Sequence, residues 1–141
     1  MNPAQLLVLA FVTLVLLNFL VAIRMLKVRI TEMRTRKIAP QKVALSAQRT
    51  ERLQDSRASD NYNHLFELPV LFYALCLLAI ATQHIPNWLP TLAFIFVISR
   101  IIHSLIQCTY NKVMHRFAVF LFGLFLLMGM WIGFALSYLS V

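Results

Sequence analysis

Between Ala4 and Ile23 the chain has no charged side chain. As a helix rising 1.5 Å per residue, a run of that length covers about 30 Å, the thickness of a bilayer's hydrocarbon core. Three further apolar stretches follow, so spans are expected at about residues 4–26, 65–83, 91–109 and 117–138. The fold class this implies is an all-α membrane protein, a four-transmembrane-helix bundle forming a single domain over residues 1–141. A soluble bundle would need helices with a polar face, and these runs have almost none. Composition agrees: 60% of residues are hydrophobic and 13% charged, outside the usual range of about half and a quarter for soluble domains.

The net charge of +8 raises the question of nucleic acid, but the position of the charges answers it differently. All thirteen Lys and Arg lie between Arg24 and Arg116, and most of them fall in Arg24–Arg57. A basic loop at 27–60 is therefore expected, with anionic lipid headgroups as neighbours and no nucleic-acid partner. The link His84–Pro90 carries no Lys or Arg, whereas the link around Tyr110–Arg116 does. By the positive-inside rule both termini lie on the non-cytoplasmic side and both basic loops in the cytoplasm. The first helix is expected to run on into the basic stretch, with Pro40 marking an irregular turn. Trp88, in a short link between Pro86 and Pro90, fits an interfacial anchor. Met1–Ile23 lacks the basic start of a secretory signal and is longer than its apolar region, so it is expected to be a retained span.

Polar residues inside such spans are the informative ones. Arg100 lies within the third run, where a charge costs about 2.5–3.5 kcal/mol on insertion scales. His103, Gln107, Tyr110 and Asn111 follow at helical spacing on the same face. Near the start of the second span stand Asn63, His64 and Glu67, just before Pro69. An ion pair between Glu67 and Arg100 is the natural way to offset two intramembrane charges. The remaining donors, with Arg116, exceed what one carboxylate satisfies and suggest a pocket for an anionic ligand. Cys76 and Cys108 lie in apolar stretches without metal-ligand spacing, so buried thiols and no metal are expected. Gly129 and Gly133 form a GxxxG pattern in the last span, with Gly123 further up, a candidate helix-packing face.

These features together resemble the MAPEG family, the membrane-associated proteins in eicosanoid and glutathione metabolism. The resemblance rests on four spans, a long basic first loop and the run Arg100-Ile-Ile-His103…Tyr110…Arg116. It also rests on Arg57-Ala-Ser-Asp-Asn61-Tyr-Asn63-His-Leu-Phe-Glu67-Leu-Pro69, which looks like the family's second-helix motif. It covers nearly the whole chain and suggests a divergent, bacterial-type member in an inner membrane with its site facing the cytoplasm.

What the resemblance implies is a homotrimer that binds glutathione as co-substrate between subunits and attacks a lipophilic small-molecule electrophile arriving from the lipid. Arg116 would be the catalytic residue. Asn61, Asn63, Glu67, Arg100, His103, Gln107 and Tyr110 would contact glutathione. The chain departs from the pattern at Gln107 and Phe120, where the family has Tyr, at Phe117 after the catalytic Arg, and at the register of Glu67. Two functions therefore stand: a glutathione-dependent transferase or peroxidase, or a non-catalytic protein of the same fold that binds a lipid or serves as a partner subunit.

Overall fold

The computed structural model describes residues 1–140. Its elements are α1 (Pro3–Thr35), a 3-10 turn (Pro40–Val43), α2 (Ser46–Arg52), α3 (Arg57–His64), α4 (Leu68–Ala81), α5 (Leu89–Cys108) and α6 (Val113–Leu139). Four helical segments are long and apolar enough to cross a membrane: α1, α3 with α4, α5 and α6. The chain is thus a four-helix membrane bundle.

Local chemistry explains the boundaries. Asn2 caps α1, accepting from the Gln5 amide at 2.8 Å, while Gln5 Oε1 accepts from the Asn2 amide at 2.9 Å. Pro3 then occupies the first turn, where its missing N–H goes unneeded. α1 runs far past its apolar part, to Thr35, as the sequence suggested, and Lys37 follows with φ of 53°. Pro69 separates α3 from α4: its ring clashes with the carbonyl four residues back, at Leu65, where the helix loosens. Gln83 (φ 55°) and Asn111 (φ 48°) close α4 and α5 in the left-handed region, a conformation Asn tolerates better than most residues.

α5 is the central element, packed against α6, α1 and α3. Its Phe96 stacks on Phe72 of α4 with ring centroids 4.9 Å apart. Leu7, Leu14, Leu75, Leu89 and Met130 complete a fully buried core in the half of the bundle away from the basic loop. Leu16, Phe19, Leu20, Ile98, Leu105, Phe122 and Phe125 are exposed. An outer surface this apolar is what a lipid-facing bundle presents.

Gly123 and Gly133 of α6 make room for side chains. A Cβ at Gly133 would stand 3.1 Å from the Trp88 ring, and one at Gly123 would overlap the Arg100 guanidinium. A Cβ at Gly129 would meet nothing within 4 Å among the described residues beyond its own helix backbone. The GxxxG face therefore makes no close helix–helix contact among the described residues. Trp88 is tied to α6 through Gly133, and Trp131 ties α6 to α4 by donating to the Leu71 carbonyl at 3.2 Å.

Candidate functional site

The buried polar groups concentrate on one face of α5. Ser99, Arg100, His103, Ser104 and Gln107 are all buried, so the stripe expected from spacing turns inward as far as the helix lasts. It ends sooner than the spacing implied. α5 stops at Cys108, so Tyr110 and Asn111 lie in the turn beyond it. Tyr110 is 61% exposed, its hydroxyl 3.2 Å from His115 Nδ1.

Arg100 has no carboxylate within ion-pair distance among the described residues, which overturns the expected pair with Glu67. Pro69 is the physical reason. By breaking the helix it makes Glu67 the N-cap residue of α4, with φ −94° and ψ −96°. The Glu67 carboxylate lies on the exposed surface, 2.9 Å from His64 Nδ1. Arg100 is held by neutral groups: Nε donates to Ser99 Oγ at 3.3 Å and Nη2 to the Val119 carbonyl at 3.0 Å. Its guanidinium lies over Phe96 at 5.4 Å and Phe120 at 6.0 Å, a geometry that stabilises a cation by about 0.5–2 kcal/mol per ring.

His103 is buried, its ring edge-on to His64 at 5.9 Å and 6.3 Å from Phe120. Asn61 is wholly buried and joins α3 to α5. It accepts from Ser104 Oγ at 3.2 Å and donates to Cys108 Sγ at 3.4 Å. Cys76 and Cys108 are buried free thiols. Gln107 is wholly buried, and neither of its polar atoms has a partner among the described residues, which costs the desolvation of an unsatisfied amide.

The α5 C-terminus is closed by two arginines the spacing did not single out for this task. Arg24 donates to the Cys108 carbonyl, and Arg57 Nη1 to the Thr109 carbonyl at 2.6 Å. Cations there satisfy carbonyls that have no partner within the helix. Arg116, half-buried in the first turn of α6, donates through Nη1 to Asn111 Oδ1 at 3.0 Å. It too has no carboxylate within ion-pair distance among the described residues. Asn63, Glu67 and Tyr110 are exposed.

Sequence reading missed Asn18, whose Nδ2 donates to the Tyr73 hydroxyl at 3.4 Å and whose Oδ1 is buried without a partner. An amide in the middle of an uncharged span was the available signal. Ser99 and Ser104 gave none, because short hydroxyls are common in apolar helices.

Asn61→Ala should destabilise the bundle by about 1–3 kcal/mol, because it strips two buried groups of their partner. Thermal melts in detergent will show the drop. An unchanged midpoint would mean that Ser104 and Cys108 find other partners.

The basic loop folds back on the helix end. Glu32 accepts from the Gln54 amide at 2.6 Å, and Arg36 donates to both Glu32 at 3.0 Å and the Arg52 carbonyl at 2.6 Å. Asp55 is gripped by Arg57 through Nε and Nη2, each at 2.9 Å. The Arg57 side-chain bonds hold the Asp55 carboxyl below the usual carboxylate range. A depressed pKa means that the tie is complete above the ordinary value of about 3.9 and is lost as pH falls through Asp55's own, lower value. An NMR titration of the Asp55 carboxyl should find it ionising below 3.9; an ordinary value would show that the grip is not kept in solution.

A bundle of four apolar spans with a buried polar stripe on α5 defines an integral multi-pass membrane protein. The MAPEG family model matches residues 7–136. The chain therefore belongs to the MAPEG family, as the motifs around Arg57 and Arg100 had suggested. No curated protein and no solved structure gives a significant match.

Proposed function

We propose that the chain is a glutathione-dependent transferase or peroxidase acting on a lipophilic electrophile at the membrane. The observation that carries this is Arg116: a half-buried guanidinium near the polar stripe, held by a neutral amide and, among the described residues, by no carboxylate. A thiol of pKa near 8.5 is mostly protonated at pH 7, and a guanidinium in contact favours the thiolate.

The donor chemistry of the polar residues supports glutathione as the co-substrate. Among the described residues Gln107 has both donor and acceptor unused, and Arg100 and Arg116 have no acidic partner. Arg116, with Gln107 and His103 as further polar groups, would hold the anionic groups, while Asn61 fixes α3 against α5. Glutathione supplies the nucleophilic sulfur. Lipid-facing α5 and α6 give an apolar substrate lateral access. Asn63, Glu67 and Tyr110 are exposed on the protomer, which suits a site completed by a neighbouring subunit of a homotrimer, on the cytoplasmic side of a bacterial inner membrane.

The non-catalytic reading draws on one feature. Arg100, the charge deepest in the bundle, is fully accommodated by Phe96, Phe120 and Val119, so a scaffold role alone accounts for its tolerance in lipid. Calorimetry of glutathione with the purified protein in detergent, with thiolate absorbance followed across pH, separates the two. Saturable binding with a lowered thiol pKa is expected. No binding at millimolar glutathione would leave the scaffold.

A further inference from the structure

A polar cavity lies outside that stripe. It has a volume of about 410 Å³ and is walled by α1, α2 and α3, with Arg29, Ser46, Arg49, Ser59 and Asp60 in its lining. Neither guanidinium has an acidic partner among the described residues. Arg29 Nη2 donates to Ser59 Oγ at 2.7 Å and Arg49 Nη2 to Ser46 Oγ at 2.8 Å. Two half-buried cations in one cavity repel each other, and hydroxyl oxygens offset that only weakly. An anion between them would relieve it.

The cavity also holds a carboxylate without a cation. Asp60 accepts from the Ser56 hydroxyl at 2.7 Å and has no Lys, Arg or His within ion-pair distance among the described residues. Asp55, also in the lining, is already neutralised by Arg57. Two free guanidiniums and one free carboxylate match a ligand that carries a phosphate and an ammonium together. A simple anion would meet Asp60 unfavourably.

Position supplies the source. Arg29 is three residues past the expected end of the first span at 26, about 4.5 Å along the helix. The headgroup layer extends about 5–8 Å beyond the hydrocarbon on each side. We infer that this cavity binds the headgroup of a zwitterionic phospholipid of the phosphoethanolamine type. Arg29 and Arg49 take the phosphate, Asp60 takes the ammonium, and the acyl chains stay in the bilayer. The bound lipid would tie the basic loop to the membrane surface. The inference does not depend on the glutathione reading.

Native mass spectrometry of the full chain in detergent tests it, with phosphatidylethanolamine, phosphatidylglycerol and phosphatidylcholine of equal chain length. The wild type should retain phosphatidylethanolamine at least about fivefold over the other two. Arg49→Gln should remove that retention, and Asp60→Asn should remove the preference over phosphatidylglycerol. Arg49 is only half-buried and Asp60 is exposed, so both variants should fold, which circular dichroism and elution volume will verify. Soluble phosphoethanolamine should displace the lipid where inorganic phosphate at the same concentration does not. Equal retention of the three lipids, or variants that behave as wild type, overturns the inference. Displacement by inorganic phosphate equal to that by phosphoethanolamine overturns it in favour of a plain anion site. Asn63 also lines this cavity, so glutathione is tested as well; if it displaces the lipid as effectively as phosphoethanolamine, the cavity belongs to the thiol substrate.

Discussion

Arg116→Ala should lower the glutathione-dependent rate by about 100-fold or more, the usual loss when one charge-stabilising donor is removed. The argument is electrostatic. Bringing a thiol pKa from about 8.5 to near 7 takes about 2 kcal/mol of preferential interaction with the thiolate. Arg116 is able to supply that, because its only side-chain partner among the described residues is the neutral Asn111 amide. The deficit should depend on pH. Below 8.5 the variant lacks thiolate; above it the thiol ionises unaided, so the gap to wild type should narrow. Initial rates of conjugation with a halogenated aromatic between pH 6.5 and 9.5, with elution volume as a check on assembly, measure this. A rate unaffected by the substitution removes Arg116 from the chemistry. A deficit constant across pH would mean that Arg116 orients substrate and leaves the thiol pKa alone.

The second large effect concerns Arg100 and Gly123. Gly123→Ala puts a methyl group where the Arg100 guanidinium lies. The guanidinium is the far end of a flexible side chain, but it is clamped between Phe96 and Phe120 and bonded to the Val119 carbonyl. Moving it forfeits a charge-assisted hydrogen bond of about 1.5–3 kcal/mol and part of the aromatic contact. Gly123→Ala should therefore cost about 2–4 kcal/mol and lower the melting midpoint in detergent by several degrees. Arg100→Leu should be far milder, within about 1 kcal/mol of wild type, because a buried charge with no counter-charge among the described residues gives up a desolvation penalty when an apolar residue replaces it. On the Arg100→Leu background, Gly123→Ala should then cost under about 1 kcal/mol, a strong coupling for a contacting pair. Additive losses would show that Gly123 is needed for backbone reasons unrelated to Arg100.

The membrane architecture was legible from the chain because the bilayer imposes a one-dimensional rule. A segment either carries about 20 apolar residues or it does not span. Ala4–Ile23 and the three later runs satisfy that rule without reference to their neighbours. The inward turn of Arg100, His103 and Gln107 was legible for a related reason, since helical spacing puts them on one face and lipid tolerates no charge there. The MAPEG motifs around Arg57 and Arg116 were legible as residue order alone.

Pairings between segments were not. Glu67 is four residues after Asn63 and close to the depth of Arg100, so sequence alone favoured an ion pair. Pro69 decided otherwise, by breaking the helix and sending the carboxylate to His64 at the surface. The partners Arg100 does have, Phe96, Phe120, Val119 and the space at Gly123, come from the crossing of α5 and α6. The closure of α5 by Arg24 and Arg57, and the cavity between Arg29 and Arg49, depend likewise on how α1, α2 and α3 meet. Hydropathy acts on each residue where it stands along the chain, so the sequence alone determined the spans, the inward polar face and the family. Which donor meets which acceptor depends on distances between helices, and only the tertiary structure decided that.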